Sequence, residues 1–262
     1  MTTTIDTLPA ARRCTWRRAA AVVLAASAAT APQAQSAVDP EADRLLQASL
    51  AEVGRLQAFG FSGRSSLDVV LKSGQKIQLG STLEAVVRRP DRLRVQRGSG
   101  PEVVRMYYDG RTLTMSSPAR NEYVVFPAPG TIEQTMDFAR DRLGIVAPAG
   151  DLIGADAYRT MMDGVTEGFV VGTGWVEGVR CDHLAFRAPH VDWQIWIEQG
   201  ARPLPRKMVI TTRDQPNAPQ FELVVTEWNL QPRTDARDFE FVAPKGAQRI
   251  EPVLRDTGGP GK

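Results

Sequence analysis

The sequence predicts an α+β fold: one curved antiparallel sheet forming an unclosed β-barrel, with an N-terminal helix and a helical insert as a lid. Three observations predict it. Apolar residues recur with period two between Phe61 and Phe126 and again between Phe169 and Val242. Short, turn-rich connections separate the strands of each run. Two helical patterns flank the first run, one before it and one after. Two strand groups around a helical insert make a sheet that bends, with helices over its open side.

The elements follow in order. Asp39-Pro40-Glu41 supplies an N-cap, a proline at the first helical position and an acid in the first turn; Leu46, Leu50, Val53 and Leu56 follow at helical spacing, so a helix is expected over about 40–57. The period then changes. Phe61, Ser65, Leu67, Val69 and Leu71 alternate with Ser62, Arg64, Ser66, Asp68 and Lys72, as in a half-buried strand. Residues 76–88 give the clearest alternation, with Ile77, Leu79, Leu83, Ala85 and Val87 on one face, and thirteen residues is long for a strand in a compact domain. Short strands are expected at Leu93 and Val95, Val103–Tyr108, Leu113–Met115 and Tyr123–Phe126. The Asp109-Gly110 pair between two of them favours a two-residue hairpin turn with both residues at positive φ.

Thr131-Ile132-Glu133-Gln134 has the capping-box pattern, and Ile132, Met136, Ala139 and Leu143 then share a helical face. A shorter helical piece is expected over about 156–162. Strands resume at Phe169 and Val171, Leu184 and Phe186, Trp193–Ile197, Met208 and Ile210, and Phe221–Val225, with Phe239–Val242 last. The long alternating face serves equally as the wall of an apolar cavity or as a core packed solid against the helices.

The ends of the chain read differently from its body. Arg12, Arg13, Arg17 and Arg18 precede an apolar run from Ala19 to Ala31, and small residues follow at cleavage spacings. Residues 1–36 therefore read as a secretory signal peptide, for an exported, soluble, periplasmic product. The run is too short for a bilayer, which needs about 20 residues, and no transmembrane segment is expected in the mature chain. A single domain is expected over 37–252, and the glycine-rich residues 253–262 read as a disordered tail.

Composition excludes several function classes. Of 32 Lys and Arg against 30 Asp and Glu, the leader carries four arginines and one acid, which leaves 28 against 29 in the body. No nucleic-acid partner is expected from so even a balance. Removal of the leader takes Cys14 and leaves Cys181 as one thiol with no internal disulfide. Cys181 and His183 share a strand face, an incomplete metal pair that reads better as a small apolar residue beside a satisfied histidine. No phosphate-binding glycine loop, nucleophile elbow or adjacent-acid metal motif is present, so no catalytic residue, metal or cofactor is assigned. Scattered carboxylates leave an enzyme as the third reading, behind a binding protein and an interaction module.

The stretch Asp192-Trp193-Gln194-Ile195-Trp196 ahead of Arg202-Pro203-Leu204-Pro205 is the most distinctive. Parity puts Trp193, Ile195 and Ile197 on one face and Trp196 on the other, which makes Trp196 a candidate ligand or partner contact. Met136, Met161 and Met162 suit a compliant apolar wall.

With Arg88-Arg89-Pro90-Asp91-Arg92-Leu93, Tyr107-Tyr108-Asp109-Gly110, Pro127–Ile132 and Gly178–Leu184, these motifs resemble a bacterial family of predicted periplasmic proteins of unknown function, over about 40–252. That family is similar in architecture to the lipoprotein-localisation carriers and receptors (LolA/LolB-like), and to the periplasmic regulator that senses mislocalised lipoproteins. In those, an unclosed barrel with a helical lid holds acyl chains. The resemblance implies an apolar cavity between sheet and lid, lined by Ile77, Leu79, Leu83, Leu93, Val95, Ile132, Met136 and Met161. It implies a non-enzymatic carrier or binding protein for a lipid, a lipoprotein acyl chain or another hydrophobic small molecule. The alternative is a protein-interaction or regulatory module with a filled core and a periplasmic protein partner.

Overall fold

The computed structural model describes residues 37–128, 130–145 and 147–252. The expected leader over 1–36 and tail over 253–262 lie outside the described residues. Helix α1 spans Pro40–Arg55; the Asp39 carboxylate accepts from the Glu41 N–H, and Ala42, Leu46, Ser49, Leu50 and Val53 are buried along one stripe.

Strands β1 (Ala58–Val70) and β2 (Lys76–Arg88) form a hairpin of two thirteen-residue arms, paired from Ala58–Arg88 to Val70–Lys76. The meander continues through β3 (Arg92–Ser99), β4 (Glu102–Tyr108), β5 (Thr112–Ser117) and β6 (Glu122–Pro127). Helices α2 (Ile132–Leu143) and α3 (Ala157–Met162) follow, joined through a 3₁₀ turn at Gly150–Ile153. A second meander comprises β7 (Glu167–Val176), β8 (Val179–Arg187), β9 (Val191–Glu198), β10 (Pro205–Thr212) and β11 (Gln220–Asn229). A two-residue strand, β12 (Gln248–Arg249), comes last.

All twelve strands make one sheet, ordered β12-β6-β5-β4-β3-β2-β1-β11-β10-β9-β8-β7. The two meanders meet at a seam where β1 pairs antiparallel with β11, from Gly60–Asn229 to Leu67–Phe221. The sheet is curved and unclosed, as the sequence predicts. Among the described residues no helix is long and apolar enough to cross a membrane.

Two clusters fill the concave side. One unites Leu46 and Leu50 of α1 and Met161 of α3 with Leu184, Trp193, Ile195, Met208, Phe221 and Leu223 of the second meander. The other unites Val53 and α2's Ile132 and Ala139 with Phe59, Val87, Leu93, Tyr108, Leu113 and Phe126. Helix α1 thus lies across both, since its stripe turns from one cluster to the other along its length.

Two expectations need correction. Phe239–Val242 is not a strand: Asp235 and Asp238 cap each other's backbone around a 3₁₀ turn at Ala236–Phe239, which buries Phe239 and leaves Val242 exposed. The hairpin turn after β4 is centred one residue later than expected. Asp109 N–H donates to Thr112 O, its carboxylate accepts from the Arg111 and Thr112 N–H groups, and Gly110 takes φ 87°. The carboxylate thereby makes Asp109 the first corner of the turn.

Candidate ligand site

The concave side carries one continuous apolar row across the seam. In register, Leu79 faces Leu67, Leu67 faces Phe221, Phe221 faces Ile210, Ile210 faces Trp193 and Trp193 faces Phe186. Leu79, on β2, is 51% exposed, whereas Trp193 and Phe186 are buried and stacked with ring centroids 4.2 Å apart. The long β1–β2 hairpin therefore carries apolar surface beyond the helices, and the row leads from that surface inward.

Ile210, in the middle of the row, lines a cleft of about 400 Å³ under the helical insert. Ile132, Met136, Ile145 and Ile153 form its apolar part with Ile210, and Asp137, Arg140, Asp151, Asp156 and Arg159 form its charged rim. That volume is near the lower end of the roughly 300–1,000 Å³ of small-molecule sites. Most rim charges are internally engaged. Arg140 pairs with Asp137 at 2.6 Å and Asp141 at 3.0 Å, and Arg159 with Asp156 at 2.5 Å. Burial pushes the Asp151 carboxyl above its usual range; Arg140 opposes the shift and Asp137 adds to it.

A few polar ties hold the insert together and fasten it to the rest of the fold. Glu133 accepts from the Ala155 N–H at 2.9 Å, which joins α2 to the loop before α3. The Arg89 side chain, 8% exposed, donates to Leu56 O at 3.1 Å and approaches Glu133 at 3.7 Å. Burial lowers the pKa of Arg89, with Glu133 opposing. Tyr158 donates from its hydroxyl to Asp43 at 2.5 Å and so ties α3 to α1; that bond, then burial, pushes its pKa up to about 12. The lid is thus a packed element with polar fastenings.

The expected lining residues fall into distinct places. Met136 and Ile132 line the cleft, Ile132 as its floor at 1% exposure. Leu93 is equally buried and Val95 packs beside it, both in the first-meander core. Met161 is buried in the second-meander core, with Leu83 packed against it. Ile77 and Leu79 lie on the hairpin arm beyond the helices. Trp196 is on the opposite, convex face, because it faces His183 while its neighbours Ile195 and Ile197 point to the core. Its ring stacks on His183 with centroids 3.9 Å apart, under the Lys207 ammonium.

His183 also bonds Gln194 at 2.9 Å, and burial lowers its pKa. Cys181 is fully buried and burial pushes its thiol up to about 11, which keeps it protonated at neutral pH. Sequence reasoning did not reach Ile210, Asp151 or the Arg89, Glu133 and Tyr158 ties. Arg89 lies within a motif that the sequence displays, yet its role depends on partners 33 to 65 residues away.

A family model described as "Predicted periplasmic protein (DUF2092)" matches residues 42–253. No curated protein matches the sequence. Among solved structures, the chain is similar to LprF from Mycobacterium bovis, with 14% identity over 80% of this chain and 99% of that one, at a TM-score of 0.45. It is also similar to MucB, with 17% identity over 78% of this chain and 64% of that one, at 0.43. A LolA superfamily protein from Nitrosomonas europaea shares 10% identity over 76% and 97% of the respective chains, at 0.34.

Proposed function

The chain belongs to the DUF2092 family of predicted periplasmic proteins, and from that premise we propose that it is a non-enzymatic binding protein or carrier for a hydrophobic ligand, a lipid or a lipoprotein acyl chain. The 37–252 domain takes the ligand between sheet and lid. The observation that carries this reading is the apolar row from half-exposed Leu79 to Ile210, ending in the cleft beside Met136 and Ile132. An acyl chain laid along it gains about 0.8 kcal/mol per buried methylene. Release then requires the insert to move, and its polar ties to α1 and Arg89 are the contacts that would have to part. The non-enzymatic part is supported by the rim, where Glu133, Asp137 and Asp156 are engaged in ion pairs or backbone bonds.

Native mass spectrometry followed by organic extraction, on protein recovered gently from the periplasm of its host, tests the proposal. A discrete lipid or lipopeptide mass is expected. Leu83→Glu puts a charge on the row's flank and is expected to lower acyl binding at least tenfold, whereas Trp196→Ala on the convex face leaves it unchanged. A folded Leu83→Glu variant with full affinity sinks the assignment of the wall.

A second reading is favoured by the solid packing under α1, where Leu46, Val53 and Ile195 are fully buried. On it the protein is an interaction or regulatory module with a filled core. A clean apo mass across preparations, with a stable periplasmic protein partner, would select it.

A further inference from the structure

Strand β7 ends the sheet on one side, and it is built unlike the opposite end. Among the described residues, three of the eight exposed large apolar side chains belong to this one strand: Phe169 at 54%, Val171 at 49% and Trp175 at 71% exposure. No residue from Gly168 to Val176 is charged. Edge strands of monomers are ordinarily blunted by charge, proline or a covering segment. The other edge follows that rule: β6 begins at Glu122, ends at Pro127, and is overlaid by β12, with Gln248 N–H donating to Asn121 O and Ile250 N–H to Tyr123 O.

On β7 the chain covers only the start of the strand. Gly168 N–H donates to Ala37 O and accepts at its carbonyl from the Asp39 N–H, a parallel bridge that stops where α1 begins at Pro40. Beyond Gly168 no described segment pairs with this side of β7. A bulge between Val170 and Gly172 bends the strand, after which Gly172 to Val176 run in regular register against His183 to Val179. The edge already accepts one added strand over its first residues, and its continuation is exposed, apolar and uncharged.

We propose that this edge is where two copies of the chain pair, antiparallel, about a two-fold axis at Thr173. The chemistry favours a second copy because a two-fold brings an edge against itself. Any charge between Gly168 and Val176 would then meet a like charge or an apolar neighbour, and there is none. With Thr173 opposite Thr173, Trp175 in the regular part lies across from Val171 at the bulge of the second copy, which joins two exposed apolar groups in cross-strand pairs. The twelve-stranded sheet then continues through the axis into its mate. Main-chain bonds supply the pairing and the Trp175–Val171 contacts supply its register.

Sedimentation of the exported protein over a concentration series tests this, with Thr173→Lys and Thr173→Glu as probes. Thr173 is exposed, so both variants fold as the parent, which tryptophan fluorescence checks. The parent is expected to dimerise with concentration, each variant alone to weaken the dimer at least tenfold, and an equimolar mixture of the two to restore it. A parent that sediments as a monomer at every concentration overturns the proposal, as does a dimer that survives both substitutions. If the parent is monomeric but its β7 amides become protected from hydrogen exchange in periplasmic extract, the edge serves another protein and self-pairing is wrong.

Discussion

The Asp68 carboxylate is buried on β1, yet it serves three strands. It accepts from the Gln220 N–H of β11 at 3.1 Å, and pairs with Lys76 of β2 at 3.0 Å. The bond from Lys76, opposed by burial and helped by Gln220, holds its pKa below the ordinary carboxylate value. A depressed carboxylate contributes stability that is present above its unfolded pKa, about 3.9, and lost as pH falls through the folded value. Asp68→Asn is therefore expected to cost about 1–3 kcal/mol at neutral pH and to flatten the fall of stability below pH 4. Urea titrations at a series of pH values measure both. In the sequence, Asp68 was legible only as the polar half of an alternation, because its partner Gln220 is 152 residues away.

Among the elements, the strands were legible because each carries its own periodicity. The bounds of β2 and the parity of Trp193, Trp196 and Cys181 follow directly from alternation. The 235–242 segment was misread since Phe239 to Val242 alternate like a strand, while the deciding cap lies upstream at Asp235. The two-residue hairpin between β7 and β8 went unread. Glu177 and Gly178 both take positive φ there, 49° and 78°, and only the second is glycine. The lid gives the element-scale prediction. Tyr158 is raised to about 12, so its bond to Asp43 contributes stability fully present below pH 10 and lost as pH rises from there to 12. Tyr158→Phe is expected to remove that alkaline loss, to cost about 1–2 kcal/mol, and to speed amide exchange across 150–162.

At the scale of the molecule, the class of fold and the helix-strand-helix-strand order were in the sequence, and the strand order was legible only in part. Each meander is local, so its pairings follow from short connections. The seam and the placement of Val38 and of Gln248–Arg249 on the sheet edges are not local. Nor was the cleft legible, since Ile210 meets Met136 there across more than seventy residues of sequence.

The seam also sets a timetable. Gly60 must find Asn229, and Leu67 must find Phe221, although 154 to 169 residues separate them. Pairings of such separation form slowly because the intervening chain must be closed as a loop first. The β2–β6 meander can assemble while β1 still offers a bare edge. Pulse-labelled refolding is expected to protect Leu93, Tyr108 and Leu113 amides before those of β1 facing β11; simultaneous protection would refute that order. A chain delivered N-terminus first thus spends most of its delivery with one of its two longest strands unpartnered on one side, and the last large strand to arrive is the one that joins the two halves.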